Sequence, residues 1–260
     1  MKQTFTALVM VAVACPAAFG AAGGPSPGVV QGGSGVLASR AGIRYVALPA
    51  GRSTIVAAIR VNGGQIIRLR SLRGVLGVPM VAYDGTTSGL SRDGRRLVLA
   101  SSVGVPTRFV VLSVPRLKVV RQVALPGRFA FDALSPSGRT LYLIQLLRNG
   151  GRYRVRAYDA EAGRLLARPV VDPAIGNAPM TGVPMARATS ASGRWAYTLY
   201  QQASGPGFVH ALDTVARKAV CVGLLRRGAR LRLDGGRLAV LGERGRRVGL
   251  IDTRTLRVVR

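Results

Sequence analysis

A fivefold internal repeat constrains this chain more than any other feature. Ser135–Ile144 reads SPSGRTLYLI, a Ser-Pro-Ser-Gly turn followed by Arg139 and an alternating apolar run. Related segments begin at Leu48 (LPAGRSTIVA), Ser91 (SRDGRRLVLA), Ser190 (SASGRWAYTL) and Leu233 (LDGGRLAVLG). Gly-Arg occupies the fourth and fifth positions of each, at Gly51, Gly94, Gly138, Gly193 and Gly236, with steps of 43, 44, 55 and 43 residues. A unit of that length cannot bury its own apolar faces, so it stacks on its neighbours, and strands at a period in the forties mark a propeller or array. The expected fold is all-β: a β-propeller of about five four-stranded antiparallel blades over residues 40–260.

Within the first unit, Ile43–Leu48, Thr54–Ile59, Gln65–Leu72 and Val75–Val81 are the expected strands, with Asn62-Gly63-Gly64 as a hairpin turn. The 55-residue step comes from Asp172–Pro184, a Pro- and Gly-punctuated insertion without periodicity. Loops of that kind carry specificity in some propellers and are simply tolerated in others. The last unit ends with Thr255–Arg260. Two closures of the ring stay open: packing between the first and last blades alone, or a degenerate strand near Val29-Val30 that completes a blade.

The turn and Leu141-Tyr142-Leu143 are followed by Val155-Arg156-Ala157-Tyr158-Asp159. The pairing recurs as Ser192-Gly193-Arg194 with Ala211-Leu212-Asp213-Thr214, and as Gly235-Gly236-Arg237 with Gly249-Leu250-Ile251-Asp252-Thr253. On these residues the unit resembles the YVTN-type β-propeller repeat of extracytoplasmic bacterial proteins. The first two units depart from it, with Arg70 or Ser71 and Ser113 where the Asp turn is expected. Tryptophan-aspartate repeats share the period, but the chain has no Trp-Asp dipeptide, and Trp195 is its one tryptophan.

The N-terminus has the pattern of an export signal, expected over residues 1–20. Lys2 precedes an apolar run from Phe5 to Cys15, and Ala18-Phe19-Gly20 offers small residues for cleavage. The run is too short to span a bilayer, and no later stretch is long and apolar enough. Ala12-Val13-Ala14-Cys15 also resembles a lipobox, so lipidation at Cys15 is the alternative to cleavage near Gly20. Residues 21–39 follow as a flexible Gly-, Pro- and Ser-rich linker. The expected address is secreted or extracytoplasmic, at the cell envelope.

Charge is the chain's second peculiarity. Lys and Arg number 38 against 10 Asp and Glu, a formal net charge of +28. Codon bias explains arginine over lysine but not the scarcity of acids, and a field of this sign also suits a polyanion or a membrane surface. The densest groups are Arg226, Arg227 and Arg230, then Arg244, Arg246 and Arg247, the second on a hairpin tip. Guanidinium forks match phosphate and carboxylate oxygens, so these six are the candidate binding residues. Aromatics make up 5% of residues, few for stacking bases, and with export this disfavours nucleic acid. The expected partner is an unidentified protein or an anionic envelope polymer.

Chemistry finds little support. His210 is the only histidine and alternates with Val209 and Ala211 in a strand. Asp159, Asp213 and Asp252 hold equivalent turn positions, and Asp132 begins a strand. No DxDxDG-like spacing, phosphate loop or set of His and Cys zinc ligands occurs, so no catalytic residue, metal or cofactor is expected. Cys221 lies in an apolar run as a small hydrophobe. The function expected is that of an exported, non-catalytic binding or scaffolding propeller. A lactonase-type propeller hydrolase is the alternative, and it rests on fold analogy alone.

Overall fold

The computed structural model describes residues 26–102, 104–148 and 151–259. The expected signal, 1–20, and Cys15 lie outside the described residues. After β1 (Val29–Val30), blade 1 is a four-stranded antiparallel meander of β2 (Val36–Ala38), β3 (Ile43–Ala50), β4 (Ser53–Arg60) and β5 (Ile66–Arg73). β6 (Val78–Pro79) precedes blade 2, which contains β7 (Arg96–Ala100), β8 (Thr107–Ser113) and β9 (Lys118–Leu125). Blade 3 holds β10 (Phe129–Leu134), β11 (Thr140–Leu146), β12 (Tyr153–Asp159) and β13 (Arg164–Leu165). Blade 4 holds β14 (Val183–Thr189), β15 (Trp195–Gln201), β16 (Phe208–Asp213) and β17 (Lys218–Gly223). Blade 5 holds β18 (Arg230–Asp234), β19 (Arg237–Leu241), β20 (Arg247–Asp252) and β21 (Arg257–Val258).

The repeated motif builds the turn between the first and second strands of a blade. Its glycines adopt the left-handed backbone that side chains resist, with φ of 69°, 70° and 75° at Gly94, Gly138 and Gly193. The motif serine closes the turn: Oγ of Ser91, Ser135 and Ser190 accepts the N–H five residues on, at 2.9–3.0 Å. A second turn reverses the third strand into the fourth. There Oδ1 of Asp159, Asp213 and Asp252 each accepts N–H groups two and three residues ahead, at 2.9–3.0 Å. A left-handed residue follows four positions after the aspartate, at Gly163, Arg217 and Leu256, and Leu117 stands at the same distance from Ser113 in blade 2.

This frame corrects the reading of the first unit. Its motif turn is Ser39-Arg40-Ala41-Gly42, between β2 and β3, with Gly42 at φ 60°. The Leu48 segment instead forms the hairpin between the second and third strands, around Gly51-Arg52. Val75–Val81 is therefore not the outer strand of blade 1, which is β5. The chain leaves β5 under a staple in which Leu76 N–H donates to Thr54 Oγ1 at 2.8 Å, and Gly77 then bridges Ala100 of blade 2.

Blade 2 has a broken inner strand. Gly77 and Leu90 bridge β7, and between them residues 78–88 leave the sheet. On this excursion β6 pairs with β1, so Val29–Val30 is a strand but does not complete blade 5. From Ser26 on, the stretch expected as a linker thus supplies two strands, β1 and β2. The tip of the excursion reaches blade 4: Tyr83 and Asp84 N–H donate to Pro184 and Met185 carbonyls at 2.9 and 3.0 Å. The insertion at 172–182 folds back on blade 3, where Val170 and Met180 bridge Val155 and Tyr153, and Val183-Pro184 already belong to β14.

Apolar layers fill the spaces between blades 1 and 2, 2 and 3, 3 and 4, and 4 and 5. Leu97, Leu141, Leu143, Leu199 and Leu238 are fully buried there, each contributing roughly 2 kcal/mol. Among the described residues no such layer joins blade 5 to blade 1. On the face of blade 1 turned from blade 2, Leu37, Leu48, Ile66 and Leu69 remain 36–57% exposed.

Candidate functional site

The six arginines picked out by the sequence collect at one end of blade 5. Arg226 and Arg227 lie in the link between β17 and β18, Arg230 opens β18, Arg244 and Arg246 sit in the β19–β20 loop, and Arg247 opens β20; all six are exposed. The link and the loop meet because Ala229 N–H donates to the Leu241 carbonyl at 2.7 Å. Register places Arg230 and Arg247 on either side of Leu241, on one sheet face. Leu231, Leu238 and Val240 point the other way, into the layer shared with blade 4.

Strand alternation adds two residues that the sequence reading did not select, Arg232 and Arg237. With Arg247 and Asp234 they line a shallow groove of about 460 Å³ over Ala239 and Leu250. The signal was the period-two run Arg230-Leu231-Arg232-Leu233-Asp234, which sets alternate residues on opposite faces. Ion pairs among the described residues are Arg139–Glu161, Arg187–Asp132 and Arg194–Asp213, so none of these blade 5 arginines is paired there.

A second concavity lies where the motif turns of blades 1, 2 and 4 converge. It measures about 440 Å³ and includes Ser39, Arg40, Ser91, Arg92, Arg187 and Ser190. Arg187 and Asp132 form a buried ion pair beside it, and the Arg187 backbone N–H also donates to Asp84 Oδ2 at 3.2 Å. Among the described residues one oxygen of Asp132 and Nε of Arg187 have no partner.

The groups with potential chemistry are set apart from this cavity. His210 is sealed between blades 3 and 4, with neither ring nitrogen hydrogen-bonded among the described residues. Burial lowers its pKa to about 4, so the imidazole is neutral at physiological pH. Cys221 is half-buried, and burial, reinforced by Asp172, pushes its thiol up to about 12. Asp172 Oδ2 instead accepts the Cys221 N–H at 2.7 Å, tying the insertion to blade 4. Among the described residues no three His, Cys, Asp or Glu side chains gather as a metal site, and no helix is long and apolar enough to cross a membrane.

No protein-family model matches the chain, and no curated protein matches its sequence. Solved structures do. A functionally unknown protein from Desulfotomaculum acetoxidans is 12% identical, with a TM-score of 0.54 over 86% of this chain and 67% of that one. The β-propeller domain of Cps50 (Swd1) from Myceliophteria thermophila is 14% identical, with a TM-score of 0.47 over 85% and 63%. BamB from Moraxella catarrhalis is 16% identical, with a TM-score of 0.46 over 88% and 63%. This chain spans about two thirds of the length of each. At such identities the likeness concerns the fold alone, and the fold is a β-propeller.

Proposed function

We propose that this chain is an exported, non-catalytic propeller of YVTN-type repeats that binds an anionic polymer of the cell envelope through the arginine-rich end of blade 5. One observation carries the reading: Arg226, Arg227, Arg230, Arg244, Arg246 and Arg247 come together without a carboxylate partner among the described residues. Leaving that many like charges together costs energy through mutual repulsion, and an anionic ligand relieves it. Export rests on the signal pattern of residues 1–20 and the uncharged composition just after it. The groove over Ala239 and Leu250 suits a chain lying across the sheet, with Arg232, Arg237 and Arg247 as forks for its acid groups.

The test is binding to polygalacturonate, a polymer with one carboxylate per sugar. Affinity should fall at least tenfold between low ionic strength and about 0.15 M salt. Arg230→Glu with Arg247→Glu should weaken binding at least tenfold, with the melting curve unchanged. Binding indifferent to both would refute the assignment. A screen of lactone and ester substrates examines the hydrolase alternative; turnover that disappears in His210→Ala or Asp132→Ala would replace the present reading.

A further inference from the structure

We propose that the cavity formed by the motif turns is a small-molecule site for a hydroxylated anion of monosaccharide size. The proposal is independent of the blade 5 surface and concerns different residues. It begins with the repeat itself. The motif turns of blades 1, 2 and 4 each bring their second residue to this cavity, and in blades 1 and 2 that residue is an arginine, Arg40 and Arg92. In blade 4 the same position is Ala191, so the two rim arginines come from blades 1 and 2 alone.

Arg92 is placed there by packing. A Cβ on Gly193 would sit 2.7 Å from Arg92 Cβ and 3.1 Å from its Cγ, so the blade 4 turn leaves out a side chain where the Arg92 stem crosses. Gly193 also has φ 75°, which glycine alone adopts without strain. One acid, Asp93, also lines the cavity; its Oδ1 accepts from Ser91 Oγ at 2.6 Å and from Arg95 N–H at 3.0 Å, which offsets part of its charge within its own turn. Among the described residues neither Arg40 nor Arg92 has an ion-pair partner.

The inner wall adds a buried guanidinium and several hydroxyls. Arg187 is 9% exposed and lines the cavity, its Nη2 held by Asp132 and its Nε buried without a partner among the described residues. Ser39, Thr86, Ser88 and Thr189 line the same cavity, and their hydroxyls have no hydrogen bond among the described residues. About 440 Å³ lies within the range of small-ligand sites. Two guanidinium forks at the rim fit a carboxylate or phosphate, and the hydroxyls beneath fit sugar hydroxyls. A neutral sugar would leave the forks unused, and a bare inorganic anion would leave the hydroxyls unused.

Isothermal titration of the full chain with D-glucuronate, glucose 6-phosphate, inorganic phosphate and D-glucose tests this. Glucuronate, glucose 6-phosphate or both should bind at least tenfold more tightly than glucose and than inorganic phosphate. The two anionic sugars separate a carboxylate ligand from a phosphate one. Arg40→Ala with Arg92→Ala should weaken the preferred ligand at least tenfold. Arg92→Lys, which keeps the charge but not the fork, should recover only part of that loss, and Arg230→Glu with Arg247→Glu should leave it unchanged. Thermal melts of each variant report folding, and Thr189→Val gives a milder change to the same wall with an expected severalfold loss. The proposal is overturned if none of the four compounds binds, if glucose binds as well as the anions, or if the blade 5 substitutions remove binding while the cavity substitutions do not.

Discussion

Arg194 and Asp213 tie the two turns of blade 4 together. Nη2 and Nε of Arg194 lie 2.6 and 2.9 Å from Asp213 Oδ2, while Asp213 Oδ1 accepts the Val215 and Ala216 N–H groups. The arginine of the repeated motif thus meets the aspartate of the second turn, 19 residues on. Asp213→Ala should therefore lower stability by about 2–3 kcal/mol in chemical denaturation, since its side chain is 4% exposed and accepts from four N–H donors. Burial pushes this carboxyl upward, but Arg194 and the two N–H groups outweigh it and hold the pKa below the ordinary value. The unfolded chain therefore takes up the proton first, so the contribution is complete above the ordinary carboxylate range and fades as pH falls through it. Acid unfolding of Asp213→Ala should be correspondingly shallower.

The Arg187–Asp132 pair should behave as a buried unit. Arg187→Met leaves the Asp132 charge sealed without its partner and should cost about 3–5 kcal/mol. Adding Asp132→Leu should restore most of that loss, because no buried charge then remains. Urea denaturation of the two single variants and the double variant checks this; a double variant no better than the worse single one would contradict it.

His210 gives the fold a distinct sensitivity to mild acid. Folded, it takes up a proton only near pH 4, whereas the unfolded chain does so near the ordinary 6.5. Unfolding is therefore favoured as pH falls through that window, by about 3 kcal/mol in total, with no further change from this group below it. His210→Leu should flatten the pH dependence of the melting temperature between those values. At pH 7 it should be at least as stable as the parent, since two unbonded buried nitrogens are removed.

Two glycines with left-handed backbone should differ in what they tolerate. Gly89, where the excursion rejoins blade 2, has φ 109°, and a Cβ there would lie 2.6 Å from the Val98 carbonyl oxygen. Gly94 has φ 69°, and a Cβ added to it would meet nothing within 4 Å. Gly94→Ala should cost about 1–2 kcal/mol for the backbone alone. Gly89→Ala should cost more, because main chain must also move. Thermal melts of the pair check the order.

The amino-acid sequence by itself determined the type of fold and most blades. Glycine with positive φ, serine and aspartate caps, and alternating apolar runs are local properties, and they place the turns of blades 2 to 5 within a residue or two of where they lie. The six arginines were visible for the same reason, being close in sequence on one inter-blade link and one hairpin. In blade 1 the strands β3 to β5 were legible but the motif turn and β2 were not, because the excursion at 78–88 lengthens the true step from Gly42 to Gly94 to 52 residues. The Leu48 copy matched the period while the real turn, Ser39–Gly42, did not. The same limit hid the cavity: Arg40, Arg92 and Arg187 are distant along the chain, and Arg92 meets Gly193 only when blades pack around a common centre. Local backbone preference chose the strands and turns, while packing between blades, which no single repeat encodes, decided which of them face one another.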